Sequence, residues 1–168
     1  LGYVTETRYD GASRVTDVIR YATAVNASLI TASTKASDTA AIPTASANDR
    51  RTRYFYDEDS RLTGTLDADG YLTENVYDAA GQLIHSIGYA TQTASAQWAA
   101  GSLSQLRPAA NATQDIHSWM IYDGEGRITG VVDGEGFLTE NVYDTNGNAT
   151  KTVRYRNAAL LAPSAITS

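Results

Sequence analysis

Two stretches of this 168-residue chain repeat each other without a gap, and this internal repeat is the strongest constraint on the fold. Residues 56–89 and 122–155 align at an offset of 66, with 16 of 34 positions identical. A shorter copy, residues 2–23, aligns with residues 70–91 at an offset of 68, with 11 of 22 positions identical. Self-similarity of this kind indicates an array in which each unit buries its apolar face on the next.

Short apolar runs in each copy are separated by tetrads that begin with Asp and end with Gly or Ser. Within a copy the tetrads recur every ten or eleven residues, which is a hairpin spacing rather than a helical one. Asp accepts a hydrogen bond from the backbone two residues on, and Gly at the fourth position tolerates a left-handed backbone. The pattern predicts tight turns at Asp10–Ser13, Asp57–Ser60, Asp67–Gly70, Asp78–Gly81, Asp123–Gly126, Asp133–Gly136 and Asp144–Gly147.

Four-residue turns would also set which side chains are buried. Around the Asp67–Gly70 turn, Leu66 would face Tyr71 across the hairpin. Because side chains alternate along a strand, Leu62 and Tyr77 would lie on the same side as this pair. The sequence therefore predicts that these four residues form the core face.

The same register predicts an ion pair that repeats with the module. Glu74 would lie on the opposite face of the hairpin, diagonally near Arg61. In the next copy Glu140 would lie near Arg127 in the same way. We therefore expect these glutamates to have a structural role.

Segments rich in Ala, Ser and Thr separate the copies. In residues 93–106, Trp98, Leu103 and Leu106 are spaced as one helical stripe, and the earlier segment could hold a short helix at Val25–Ile30. The predicted fold is mainly β, with antiparallel hairpin repeats that form an elongated, curved or spiral sheet and short helical inserts between repeat pairs. The predicted boundaries are a partial unit at 1–21, an insert at 22–52, a unit at 53–89, an insert at 90–117, a unit at 118–156 and the start of an insert at 157–168.

The unit Gly-x-x-Thr-x-x-x-Tyr-Asp-x-x-Gly resembles the RHS or YD repeat of bacterial Rhs toxins, insecticidal toxin complex C components, wall-associated proteins and teneurins. The resemblance implies antiparallel strands wound into a spiral sheet, which in the toxins forms a hollow shell around an effector. It also implies a protein that is secreted or on the bacterial cell surface. The residues that match, with the repeated glutamates, are Gly70, Thr73, Glu74, Tyr77, Asp78, Gly81, Gly136, Thr139, Glu140, Tyr143, Asp144 and Gly147.

Composition excludes several kinds of partner and of chemistry. The formal net charge is −6, so the basic surface that binds nucleic acid is missing. No apolar run approaches the ~20 residues of a membrane helix, which predicts no membrane insertion. The absence of cysteine excludes a disulfide scaffold and a thiol nucleophile.

Four acidic residues in the turns are weak candidates for a calcium site. Asp67 with Asp69, and Asp133 with Glu135, place carboxylates at alternate positions, and calcium prefers oxygen ligands. The twelve-residue calcium loop that ends in a bidentate Glu is absent, and plain turn chemistry explains the same residues. We expect no cofactor, with calcium as the alternative.

No constellation of catalytic residues appears in the sequence. His85 and His117 lie in unrelated contexts, and their counterparts in the other copies are Asp17, Lys151 and Arg51. A zinc site needs three or four convergent ligands, and no spacing supplies them. The sequence therefore predicts a chain that is not an enzyme.

Two functions from different classes remain. The first is a structural spacer or shell segment of a large secreted or surface protein, whose partners are neighbouring repeats and an encapsulated effector. The second is a carbohydrate-binding or adhesion module in which Tyr71, Tyr89 and Trp98 stack on sugars, since aromatic rings offer a flat apolar face. A calcium-stabilised repeat is the third alternative.

Overall fold

The computed structural model describes residues 2–25, 28, 30, 31, 34 and 42–158, and its regular structure is almost entirely β. The predicted mainly β class with antiparallel hairpins is confirmed. The chain divides into two compact units, one of Leu1–Leu72 with Thr93–Leu106 and one of Thr73–Gln92 with Arg107–Ser168.

The first unit is an antiparallel meander with a helical insert. Each of its strands pairs with the strand that follows it in the chain. Its elements are β1 (Tyr3–Tyr9), β2 (Val15–Ala24), β3 (Arg50–Tyr56), β4 (Leu62–Leu66) and the short helix α1 (Leu103–Leu106).

The second unit is also a meander. Its first strand begins at the residue where the first unit ends, and neighbours in the chain again pair antiparallel. Its strands are β5 (Leu72–Tyr77), β6 (Leu83–Gly88), β7 (Ile116–Tyr122), β8 (Ile128–Val132), β9 (Phe137–Tyr143) and β10 (Ala149–Ala158).

All seven Asp tetrads form turns with one shared geometry. In the turn at Asp133, the N–H of Gly136 donates to the Asp133 carbonyl at 2.8 Å, and the Asp133 N–H donates to the Phe137 carbonyl at 3.0 Å. The fourth residue always has a positive φ, which Gly adopts without strain. These fourth residues are Ser13, Ser60, Gly70, Gly81, Gly126, Gly136 and Gly147.

The turns contain one more residue than the four-residue prediction, and this changes the register. Val132 pairs with Leu138 rather than with Phe137, because the residue after each tetrad is also part of the loop. The left-handed fourth residue followed by one extra residue is the geometry of a G1 bulge. Leu66 and Tyr71 are the equivalent residues one copy earlier, so the expectation that Leu66 faces Tyr71 is wrong.

The bulge also changes the core face. Leu66 and Leu72 are buried at 2% and 1% exposure, whereas Tyr71 is 41% exposed. Leu62 and Tyr77 are half-buried. The predicted core face keeps Leu66, loses Tyr71 and gains Leu72, because one inserted residue moves every later side chain to the other face. The other buried large apolar residues in the described part of the chain are Ile19, Tyr21, Tyr89, Leu106 and Val132.

The predicted Arg–Glu pairs are replaced by Asp–Arg pairs within the turns. Arg127 Nε donates to Asp123 Oδ2 at 2.7 Å, and Arg61 makes the same 2.7 Å contact with Asp57. Glu140 instead accepts a hydrogen bond from Tyr155. The bulge is the physical reason, because it folds the arginine back over its own turn.

The second insert is less helical than expected. A 3₁₀ turn covers Ser95–Gln97, and α1 contains only four residues. Gly101, which weakens a helix, lies between the two pieces. The single helix predicted over 93–106 is therefore wrong in extent.

Two other expectations concern residues that the structure does not describe. The helix expected at Val25–Ile30 includes such residues, and most of the insert expected at 157–168 consists of them. No helix in the described ranges is long and apolar enough to cross a membrane.

Candidate functional site

The acidic turn residues hold backbone amides. Asp67 Oδ1 accepts from the N–H of Asp69 at 2.9 Å and of Tyr71 at 2.8 Å, and Asp133 Oδ1 accepts from Glu135 and Phe137 in the same way. Hydrogen bonds from backbone N–H groups favour the charged form of a carboxylate. At Asp123, the first residue of another turn, the bond from the Arg127 N–H is the main cause of a lowered pKa.

Two of the four calcium candidates, Asp69 and Asp133, also have cationic partners. Arg50 forms a two-bond contact with Asp69 at 3.1 and 2.8 Å, and Arg154 Nη2 donates to Asp133 Oδ2 at 2.9 Å. Within residues 2–25 and 42–158, no group of three or more His, Cys, Asp or Glu residues is arranged to hold a metal ion. Asp67 and Asp133 therefore hold the chain reversal, and Asp69 and Asp133 form ion pairs.

Other residues of the repeat motif also serve the turns and strands. Asp144 repeats the turn chemistry of Asp133, and Thr73 and Thr139 lie in strands opposite Gly88 and Arg154. The Tyr143 hydroxyl donates to the Ile128 carbonyl at 2.8 Å, and the Arg127 guanidinium lies 4.8 Å from the Tyr143 ring centroid. These contacts tie the Asp123–Gly126 turn to the hairpin that follows it.

A glutamate–tyrosine hydrogen bond repeats in all three copies, and the sequence analysis missed it. In each pair the tyrosine hydroxyl donates to a glutamate 15 residues earlier, from one strand to its neighbour. The tyrosine stands at a fixed distance from the Thr-Glu of the motif, which is the signal that could have revealed the pair. The pairs are Tyr21–Glu6 at 2.5 Å, Tyr89–Glu74 at 2.5 Å and Tyr155–Glu140 at 2.6 Å.

The second of these pairs is buried and receives an arginine from the insert. Arg107 donates from Nε and Nη2 to the two oxygens of Glu74 at 2.7 and 2.6 Å. Burial opposes ionisation of Glu74, but the bonds from Arg107 and Tyr89 outweigh it and lower the pKa of Glu74. Burial and the Glu74 bond raise the pKa of Tyr89 to about 12. The site therefore holds a charged carboxylate at neutral pH.

Trp98 fixes the insert onto the first unit. Its ring packs against Gly70, where an added Cβ would overlap the ring carbons, and its Nε1 donates to the Thr93 carbonyl at 3.1 Å. Arg53 donates to the carbonyls of Trp98 and Gly101 at 3.2 and 2.9 Å. Because Trp98 is held on several sides, its first role is structural.

The three glycan candidates differ in accessibility. Tyr89 is 7% exposed and its hydroxyl is engaged by Glu74, so it offers no face to a sugar. Tyr71 is 41% exposed. Trp98 lines an open cleft of about 220 Å³ in the first unit, whose other lining residues include Asp67, Arg51 and Ala99. Tyr71 and Trp98 are the candidates that keep accessible ring surface.

His85 and His117 contact each other, although the sequence placed them in unrelated contexts. His85 Nε2 and His117 Nδ1 are 3.0 Å apart, across the pairing of β6 with β7. Trp119 stacks on both rings, with centroid distances of 4.9 Å to His85 and 5.4 Å to His117. One imidazole donates and the other accepts, so at least one ring must be neutral.

The first copy has an ion pair at the positions of this histidine pair. Asp17 corresponds to His85 and Arg51 to His117, and Arg51 Nε donates to Asp17 Oδ1 at 2.8 Å between β2 and β3. Both contacts join the strands on either side of an insert. The equivalence could have been read from the offsets of 66 and 68, which place His85 and His117 where this pair lies.

We expect the histidine pair to make stability fall in mild acid. Burial, followed by the charge of His117, lowers the pKa of His85 below its ordinary value of 6.5. The unfolded chain therefore takes up the proton first, so the full stability is present above the ordinary pKa and is lost as pH falls through the folded pKa. Urea unfolding followed at steps between about pH 8 and pH 5 measures this loss.

A double variant supplies the control for this pH dependence. His85→Asp with His117→Arg copies the Asp17–Arg51 pair of the first copy and removes both histidines of the chain. We expect it to fold and to lose most of the stability change between about pH 5.5 and pH 7.5. If the free energy of unfolding of the double variant changes with pH as much as that of the wild type, groups other than the two histidines cause the pH dependence.

Comparison with known structures adds to this geometry. A TcdB2-TccC3-Cdc42 complex matches 88% of this chain with a TM-score of 0.57 at 16% identity. A pore form of the Photorhabdus luminescens Tc holotoxin with a substituted TccC3 matches 92% with a TM-score of 0.58 at 17% identity. This chain has an RHS-repeat-like fold.

The RHS-repeat-like chain corresponds to a small part of these proteins. It spans about 6% of the length of each of the two matched chains. A TcdB2-TccC3 structure without its hypervariable C-terminal region gives a similar match, with a TM-score of 0.56. No family model matches the sequence, and no curated protein does either.

Proposed function

We propose that this chain is a non-catalytic wall segment of a large, secreted, toxin-like RHS-repeat protein. Its task is to extend a rigid sheet, repeat by repeat, in a shell that surrounds an effector. The supporting observation is the single turn geometry repeated seven times, with each bulge and Asp carboxylate at the same position. The fold likeness to Tc toxin structures over 88–92% of the chain agrees with this role.

The partners and boundaries follow from that role. The chain packs against neighbouring repeats of a longer protein. Such a protein would be secreted or displayed on the cell surface. The repeat units we propose are 1–21, 53–89 and 118–156, separated by inserts at 22–52, 90–117 and from 157 onward. The Arg51 and Arg53 bonds to carbonyls of the second insert support the idea that inserts dock on the repeats.

Small-angle X-ray scattering tests the wall-segment role. The chain is joined head to tail in one, two and three copies, and the maximum dimension and the cross-sectional radius are measured. We expect the maximum dimension to rise with copy number while the cross-section stays constant, because each repeat contacts only its neighbours. A matched set with flexible Gly/Ser segments between copies is the control. If the direct fusions match the flexible set or collapse to globules, the proposal is wrong.

Carbohydrate binding is the second candidate, and the cleft beside Trp98 supports it. The cleft combines an aromatic edge with the polar side chains of Asp67 and Arg51, the combination that sugar sites use. A screen of glycans and cell-wall polymers, run with and without calcium, tests both this function and the calcium alternative.

Two alanine positions give a matched control for that screen. Ala99 lines the cleft, whereas Ala100 is exposed but does not line it. Binding through the cleft is abolished by Ala99→Arg and kept by Ala100→Arg. Binding that survives both substitutions lies elsewhere, and no binding at all leaves only the wall-segment function.

A further inference from the structure

The three Glu–Tyr pairs differ in whether an arginine completes them. Glu6 receives Arg8 from its own strand, with bonds of 2.6 and 3.4 Å, and Glu74 receives Arg107 from the insert. Glu140 has only the Tyr155 hydroxyl as a partner within residues 2–25 and 42–158. A carboxylate has about four lone-pair positions and binds a guanidinium through two parallel bonds, so Glu140 keeps acceptor capacity for one.

Within residues 2–25 and 42–158, no arginine completes the third pair as Arg8 and Arg107 complete the other two. The position of Arg8 is occupied by Val142 in this copy, and Arg154 is used by Asp133. Residues 159–168 contain no lysine or arginine. Arg156 lines the neighbouring cleft but forms no ion pair with the described part of the chain.

The surface around the third pair is open where the second is covered. In the second copy Leu72 and Tyr89 are 1% and 7% exposed, whereas Tyr155, the third-copy counterpart of Tyr89, is 44% exposed. Leu138, the counterpart of Leu72, and Tyr155 line a cleft of about 250 Å³. The third copy therefore offers a carboxylate and an apolar recess side by side.

We propose that Glu140 and Tyr155 form a docking site for an arginine-bearing peptide segment of the Leu-Arg-Pro type that Leu106–Pro108 represents in this chain. The inference rests on the proposed function, because in an array of repeats the segment comes from the insert of a following repeat. The guanidinium binds the two oxygens of Glu140 while the Tyr155 hydroxyl keeps its bond. The apolar neighbours of the arginine cover Leu138 and the Tyr155 ring.

Titration with a synthetic peptide tests the site. The probe is the peptide of residues 102–110, SLSQLRPAA, added to the whole chain and followed by NMR chemical shifts of Glu140, Tyr155 and Leu138. We expect saturable shifts at these residues with a roughly millimolar Kd. A peptide with Gln in place of Arg, and a Glu140→Gln chain, should each weaken binding at least about tenfold, since the charge-assisted bonds are lost.

A second variant makes a negative result decisive. Arg107→Gln vacates the Glu74 site, so the same peptide is expected to bind there as well and to shift Tyr89. Binding at Glu74 of this variant without binding at Glu140 overturns the proposal. Equal binding to the wild-type and Glu140→Gln chains overturns it too, as does the absence of binding at both glutamates. None of these results bears on the scattering test, so the two proposals fail separately.

Discussion

Replacing Gly70 with alanine is expected to lower the free energy of unfolding by about 3 kcal/mol. Two penalties coincide at this position. The φ of +83° is costly for any residue with a Cβ, by about 1–2 kcal/mol, and the new methyl group would overlap the Trp98 ring. Trp98 cannot move freely because its Nε1 is bonded to the Thr93 carbonyl. Chemical denaturation followed by Trp fluorescence measures the loss.

Gly147 is the matched control, because its backbone is the same and its surroundings are open. Its φ is also +83°, but the nearest atom to an added Cβ is Arg127 Nη1 at 3.6 Å. Gly147→Ala should therefore cost only the backbone term of about 1–2 kcal/mol. Equal losses for the two variants would show that the Trp98 contact contributes nothing.

Replacing Arg107 with glutamine is expected to cost about 2–3 kcal/mol, more than replacing its partner Glu74 with glutamine. Glu74 is the buried member, with a side chain 6% exposed, whereas the Arg107 side chain is 53% exposed. Removing the arginine leaves a buried carboxylate with only the Tyr89 hydroxyl. Removing the carboxylate lets the arginine return to water, at about 1 kcal/mol. Urea denaturation of both variants measures the difference.

The matched control is Glu140→Gln, which changes the same motif position in the exposed copy. We expect a loss of about 0.5 kcal/mol or less, because the pair is open to solvent. The double variant Glu74→Gln/Arg107→Gln should cost about as much as Glu74→Gln alone, since the two residues form one contact. A double variant whose cost equals the sum of the single losses would contradict the coupling.

The hairpins and the turn chemistry could be predicted from the sequence, because both depend on local signals. Asp and Gly at fixed spacing act within five residues, so the seven turns needed no knowledge of distant contacts. The count of loop residues could not be obtained in this way, since a tetrad fits both a four-residue turn and a turn with a bulge. That single residue moved Leu72 into the core and Tyr71 out of it.

Contacts between distant segments were the second limit of the sequence analysis. Arg107 reaches Glu74 from an insert whose path no local pattern predicts, and Trp98 reaches Gly70 in the same way. The His85–His117 contact was missed because each residue was compared with its own counterparts and not with the other. The pairing register of the two strands that flank an insert must be known before Asp17–Arg51 and His85–His117 are recognised as equivalent pairs.

The different chemistry at these two equivalent positions bears on how faithfully such a chain folds. Similar repeats can pair with the wrong neighbour, which is a common failure of repeat proteins. If β6 paired with β3, His85 would meet Arg51, and an uncharged imidazole nitrogen would replace the Asp17 carboxylate as the acceptor for the guanidinium. The native Asp17–Arg51 pair is thus stronger than the wrong Arg51–His85 pair, and specificity is a difference of this kind between right and wrong contacts. Sequence differences between the copies therefore favour the pairing of each strand with its correct neighbour.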